Sequence, residues 1–201
     1  RKSNSPPSLE EVIGVWGELY VLRMFLNNTQ NHLKQFQILK GWEGEIREKI
    51  DFRFIFCKQA LEIKSTVSDK RIHHLHGLEQ VTIPYGFDSG ILVSLRLELG
   101  NGLTNLLLID SIRKSFIGND IEKQKCLELL EKRIILRGYA CDDNNFSIAL
   151  SPDGIKFFQF STVPKPGQAE GVFSIEWESD LTKSLALNSF EIDELINKIT
   201  K

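Results

Sequence analysis

An aspartate at position 51 and a Glu-Ile-Lys triplet at positions 62–64 are the residues of this chain whose types and spacing could do chemistry together. They lie in the stretch IREKIDFRFIFCKQALEIKST, residues 46–66. Carboxylate oxygens are hard ligands suited to Mg²⁺, which keeps several waters and is usually held by one or two protein carboxylates plus substrate phosphate. A lysine beside them can orient or deprotonate a metal-bound water and offset phosphate charge. The reaction class implied is metal-assisted hydrolysis of a phosphodiester. The alternative is an ordinary exposed strand face on which Arg53 pairs with Asp51 or Glu62.

Two strands joined by a short turn must position these groups. Ile50, Phe52, Phe54 and Phe56 recur with period two, which predicts a strand with one buried face and Asp51 pointing the other way. On the second strand Leu61 and Ile63 take one face and Glu62, Lys64 and Thr66 the other. A tight reversal at Lys58-Gln59 sets Phe56 against Leu61 and Phe54 against Ile63, and cross-strand partners share a face. Asp51, Glu62 and Lys64 are then left together opposite the aromatic layer. Parity gives no distance: in this register Asp51 sits opposite Thr66, roughly 13 Å along the strand from the level of Glu62. Holding one ion with both carboxylates requires the hairpin to bend, bulge or pair differently.

Asp51 followed by Glu62-Ile63-Lys64 resembles the D…(D/E)xK motif of the PD-(D/E)XK phosphodiesterase superfamily, with Ile50 where many members have proline. The ordered segments GVWGELYVL (14–22), KIDFRF (49–54), LEIKST (61–66) and HGLEQV (76–81) resemble a PD-(D/E)XK family of bacterial genomes met near phage-defence and restriction-type genes. The resemblance extends through SGILVSLRLELGNGLTNLLLIDSIRK toward the carboxyl end. It implies a restriction-endonuclease-like mixed α/β core with a central mixed sheet flanked by helices. It further implies a Mg²⁺-dependent nuclease, with Mn²⁺ able to substitute, acting on DNA as an endonuclease of a defence or restriction-type system. Asp51 and Glu62 would hold metal, joined by the Ile63 carbonyl and by Glu18 on the first helix. Lys64 would position the attacking water, and Gln80 would orient water or substrate. Partner proteins of a defence system belong to the same expectation. The rival readings are a catalytically silent DNA-binding or assembly subunit of a defence complex, and an interaction domain whose charged face is structural.

Composition sets the frame. The chain has 201 residues, 41% hydrophobic and 26% charged, which suits one globular domain with or without a small appendage. Net charge is −2 and the pI near 6.1, which argues against a protein that coats DNA but not against a nuclease with local bases. Cys57, Cys126 and Cys141 form no CxxC pair, so a reducing compartment, the cytoplasm, is expected. No apolar run approaches a membrane span, and the polar opening is no signal peptide. The chain opens on Arg1 rather than methionine, from which a segment upstream is expected.

In order, Ser8 with Glu11 three residues later is a capping-box signature, and Leu9, Val12, Ile13, Trp16, Leu19, Tyr20 and Leu26 share one helical arc, predicting a helix over 8–27. Gly14 and Gly17 within it suggest close backbone approach. Residues 27–40 read as a helix end and connection, and 41–45 as a turn in which Trp42 packs and Glu43 and Glu45 are solvated. In RIHHLHG, His73 and His74 point to opposite strand faces and no cysteine or suitably spaced fourth histidine completes a zinc site. Lys70, Arg71 and His73 are instead expected along a DNA-facing edge contacting phosphates. Gln80 begins a short helix beside the site, where its amide would otherwise serve as a cap.

A strand over 90–99, a Gly-Asn-Gly turn at 100–102, and helices over 103–116 and 120–137 complete a core of residues 1–138. Residues 139–201 read as a β-rich extension packed with it: a hairpin with its turn at 151–154, a strand over 172–177 and a closing helix over 189–198, with Phe190, Ile192, Leu195 and Ile196 inward. This part is open as a scaffold, a homodimer surface, or a recognition surface using Lys156 and Lys165.

Overall fold

The capping box forms as the sequence predicts. In the computed structural model, which describes residues 7–42, 50–136, 146–167 and 175–201, the Ser8 hydroxyl accepts the Glu11 N–H and the Glu11 carboxylate accepts the Ser8 N–H, opening helix α1 (Leu9–Asn27). A second helix, α2 (His32–Gly41), starts at Asn31, whose side chain accepts the N–H groups of Leu33 and Lys34. Residues 27–40, read as a helix end and connection, hold the end of α1 and most of a second helix, because the Asn31 cap supplies the start that the weak apolar periodicity conceals. Glu43, Glu45 and the beginning of the expected first strand lie outside the described residues.

The central sheet has the order β1-β2-β4-β5, from β1 (Phe52–Phe54), β2 (Gln59–Thr66), β4 (Ser89–Leu103) and β5 (Ile148–Gln159). Strand β2 runs parallel to β4, while the β1/β2 and β4/β5 pairs are antiparallel, so the sheet is mixed. A separate antiparallel ribbon joins β3 (Ile72–Leu75) to β6 (Trp177–Asp180). Helices α3 (Asn105–Ser115), α4 (Asp120–Leu136) and α5 (Ser189–Thr200) are the other α-helices among the described residues. No helix among the described residues is long and apolar enough to cross a membrane.

Two apolar clusters result. Leu61, Ile63, Val93 and Leu95 pack with Trp16, Leu19, Leu22 and Phe25 of α1 in the larger, and Ala60, Leu92 and Phe158 pack with Leu75, Val81 and Leu181 in the smaller. Both faces of β2 are thereby covered, as is usual for a strand with a parallel neighbour. Gly17 faces this sheet at the close approach its residue type suggested, since a Cβ there would stand 2.2 Å from the Ser65 hydroxyl; Gly14 has nothing within 4 Å.

Several boundaries move. Residues 55–57 form a 3-10 turn and Lys58 takes a left-handed conformation, so the first strand ends at Phe54 and Phe56 is partly exposed under Lys34 rather than buried in the aromatic layer. Ile50 joins the smaller cluster with Ala60 instead of sharing a layer with Phe52. The Gly100-Asn101-Gly102 turn is a bulge inside β4, and the 151–154 turn is a bulge inside β5, which runs on against β4 instead of folding into a hairpin. β5 thus completes the central sheet, although it lies beyond residue 138. The third carboxyl-terminal strand is seen as β6, displaced from the expected 172–177, of which 172–174 lie outside the described residues. In the closing helix Leu195 and Ile199 are buried, but Phe190 is exposed.

A close approach of backbone to side chain falls on β4. Gly90 is level with Ala60, and a Cβ on it would stand 2.0 Å from a carbon of the buried Phe160 ring. Gly90→Ala is therefore expected to cost about 1–3 kcal/mol through overpacking, read as a lower midpoint in urea unfolding with an unchanged slope.

Candidate active site

The register of the first hairpin brings the carboxylates together. Phe52 is level with Leu61 and Phe54 with Gln59, so Asp51 falls level with Glu62 rather than with Thr66. Ending the reversal at Lys58, four residues after Phe54, accomplishes this. Asp51 Oδ2 accepts the Ile63 backbone N–H at 2.8 Å, which docks the aspartate on the strand that carries the other two groups.

Glu62 is 2% exposed, so an exposed charged strand face does not describe it. Its Oε1 accepts Gln80 Nε2 at 2.7 Å and Lys64 Nζ at 3.0 Å, while its buried Oε2 has no hydrogen-bond partner. Burial pushes the Glu62 carboxyl well above its ordinary range, the Asp51 charge pushes further, and Lys64 opposes both. The Glu18 charge adds to the upward push.

Gln80 lies in a 3-10 turn, Leu78–Val81, and connects the site to the ribbon. Its Oε1 accepts Lys64 Nζ at 3.2 Å and the His76 backbone N–H at 2.8 Å. One amide thus holds the glutamate and the lysine at once, beyond the cap role open to it from sequence.

Glu18, on α1, accepts the indole N–H of the fully buried Trp42 at 2.9 Å, so Trp42 both packs and orients the glutamate. Among the described residues, Glu18, Asp51 and Glu62 are not drawn within 4.8 Å of one another; the group that is consists of His74, His76 and Glu176. The structure therefore assembles Asp51, Glu62, Lys64 and Gln80, with the Glu18 charge acting on Glu62. Ile63 lies between Glu62 and Lys64 on β2, its N–H taken by Asp51.

The expected DNA-facing edge is corrected at two of its three positions. Arg71 and His73 are each 3% exposed. Arg71 Nη1 donates to Ser94 O and Oγ at 2.8 and 2.9 Å, and Nη2 donates to the Asp153 carbonyl. His73 Nε2 and Ser94 Oγ share a hydrogen bond of 2.7 Å. Burial, with the Lys64 and Arg71 charges, lowers the His73 pKa to about 3, so its ring stays neutral. Strand alternation turned His73 inward, and the bulge in β5 brought the Asp153 carbonyl to Arg71, which no local pattern indicates. Lys70 remains exposed. Of the two carboxyl-terminal lysines considered, Lys156 pairs with Asp153 at 2.8 Å and Lys165 donates to the Val81 carbonyl at 2.8 Å.

Arg71→Ala is expected to lower stability by about 2–4 kcal/mol, because the buried Ser94 carbonyl and hydroxyl and the Asp153 carbonyl lose the donors that Arg71 supplies. Lys70→Ala should leave the melting temperature nearly unchanged. Parallel thermal melts of the two variants check the contrast.

A hard-cation site fits these residues. A buried carboxylate oxygen without a donor, beside a second carboxylate that faces it, is a place a divalent ion would satisfy. A mixed sheet flanked by helices, with an aspartate just before one strand and a glutamate and a lysine on the next, defines a protein of the restriction-endonuclease-like α/β class. The chain belongs to the family described as "Putative PD-(D/E)XK family member" (DUF4420), whose sequence model matches residues 1–182. Membership points to a nuclease-type phosphodiesterase. No curated protein and no solved structure matches the chain.

Proposed function

We propose that this protein is a Mg²⁺-dependent DNA endonuclease of a bacterial defence or restriction-type system, with Mn²⁺ able to replace Mg²⁺. The observation that carries the reading is the unpartnered, buried Oε2 of Glu62 next to Asp51, with Lys64 held on the same side. Asp51 and Glu62 are the residues that would hold the ion, with the Ile63 carbonyl and Glu18 completing its surroundings. Such an ion would acidify the attacking water and offset charge on the phosphate and on the leaving oxygen.

The chain's own groups do the positioning. Lys64, donating to Glu62 and Gln80, presents its ammonium group to the attacking water and the phosphate. Gln80 keeps that ammonium and the Glu62 carboxylate in fixed relation. Exposed Lys70 would contact phosphate and fix register without reading sequence.

Incubation with supercoiled plasmid and Mg²⁺ or Mn²⁺ tests the proposal: nicked and linear products establish endonuclease action. A second reading, a catalytically silent DNA-binding or assembly subunit of a defence complex, draws on Glu18, Asp51 and Glu62 not forming one group of mutually close ligand atoms among the described residues. Retained DNA binding with no cleavage in either ion would favour it.

A further inference from the structure

On the ribbon, His74 is level with Glu178 and Leu75 with Trp177. One step further along both strands, His76 comes level with Glu176, and side-chain alternation sets His74, His76 and Glu176 on one face. His73, one residue away, is buried on the other. His74 Nε2 lies 3.4 Å from one Glu176 oxygen and His76 Nδ1 lies 3.6 Å from the other. One ligand atom from each residue is within 4.8 Å of the other two, and all three side chains are exposed. The imidazole rings meet edge to face at 4.5 Å.

The spacing has a chemical meaning. Donor atoms around a tetrahedral ion with bonds of about 2.0–2.1 Å stand roughly 3.3 Å apart, so each imidazole already stands at nearly that distance from a Glu176 oxygen, Oε2 for His74 and Oε1 for His76. Exposed ion pairs contribute little, typically about 0–1 kcal/mol, and one such pair would not gather both rings on a single carboxylate. Imidazole selects Zn²⁺-type ions over Mg²⁺, and two imidazoles with one carboxylate leave a coordination position for water.

We propose that His74, His76 and Glu176 form a second metal site, for a borderline divalent cation of the Zn²⁺ class, separate from the hard-cation site of Asp51 and Glu62. The ion ties β6 to the end of β3. Because the His76 N–H is held by Gln80 Oε1, and Gln80 also holds Lys64 and Glu62, the ion steadies the turn that orients both groups. It is a clamp beside the active site and takes no part in bond breaking. The site does not depend on the phosphodiesterase reading, since its test is binding.

Zn²⁺ is titrated calorimetrically into the full chain, as wild type and as the Asp51→Ala/Glu62→Gln double variant, with Co²⁺ used in parallel for its visible absorption. The expected result is one Zn²⁺ per chain in both, a four-coordinate Co²⁺ spectrum, and affinity weakened at least about 10-fold by His74→Ala, His76→Ala or Glu176→Gln. These side chains are exposed, and an unchanged melting temperature in the metal-free variants shows that folding is intact. Absence of Zn²⁺ binding by wild type overturns the proposal. So does binding that survives His74→Ala/His76→Ala but disappears in Asp51→Ala/Glu62→Gln, which would assign the ion to the carboxylates.

Discussion

Asp51→Ala and Lys64→Ala are each expected to reduce Mg²⁺-dependent plasmid cleavage by about 10²–10⁴-fold or more. The two losses have different origins. Asp51 contributes a charge facing Glu62 and also an acceptor for the Ile63 N–H. Asp51→Asn keeps an acceptor and removes the charge, so it should be as inactive as Asp51→Ala while sparing the roughly 1–3 kcal/mol that an unsatisfied buried N–H costs. Lys64 lies 3.0 Å from Glu62 and also binds Gln80. Its removal takes away the ammonium group and leaves the buried Glu62 without its nearest cation. Lys64→Arg should not restore cleavage, because a planar guanidinium does not reproduce a compact ammonium in a site with 15% side-chain exposure. Gel analysis of supercoiled plasmid, with circular dichroism to confirm folding, reads these outcomes. Cleavage that persists in both alanine variants means that the catalytic groups lie elsewhere.

Glu62→Gln should make the metal-free protein more stable at about pH 8 while abolishing its stabilisation by Mg²⁺. Burial and the Asp51 charge raise the Glu62 pKa in the folded state. The stability this group contributes is therefore complete below its ordinary value of 4.5 and is lost as pH rises through the raised folded-state value. An amide carries no charge to desolvate, can still accept from Gln80 and Lys64, and offers a donor toward Asp51. Each kcal/mol relieved should raise the melting temperature by about 2–4 °C for a chain of this size. Wild type should gain stability on adding Mg²⁺ by mass action, and the variant should not. His73 works in the other direction: lowered to about 3 from its ordinary 6.5, it contributes stability above 6.5 that is lost as pH falls toward 3. The two groups oppose each other in acid, so Glu62→Gln should leave a steeper loss of stability below about pH 6. A lower melting temperature for the variant at about pH 8, with Mg²⁺ stabilisation intact, would falsify this account of Glu62.

Which face each site residue occupies was legible in the chain itself. Side chains alternate along any strand because of backbone geometry, so Asp51, Glu62 and Lys64 had to share a side once the two strands paired with that parity. The Ser8–Glu11 capping box, the extent of α1, the opposite faces of His73 and His74, and the ordered motifs that mark the family are local properties of the same kind, whereas which of the two histidines turns inward was not.

What tertiary structure alone decided is position along and between strands. The left-handed Lys58 and the 3-10 turn before it set the register that brings Asp51 level with Glu62, where the simplest reversal left them roughly 13 Å apart. Pairing with β4 and coverage by the smaller apolar cluster buried Glu62 and drew Arg71 inward to Ser94 and Asp153. The bulges that keep β5 against β4 read locally as turns, because glycine and proline serve both. Glu176, a hundred residues beyond His74 and His76, reaches them only through the β3–β6 ribbon. Parity is a property of a few consecutive residues, whereas register and burial are chosen by pairing and packing free energies summed over segments far apart in the chain.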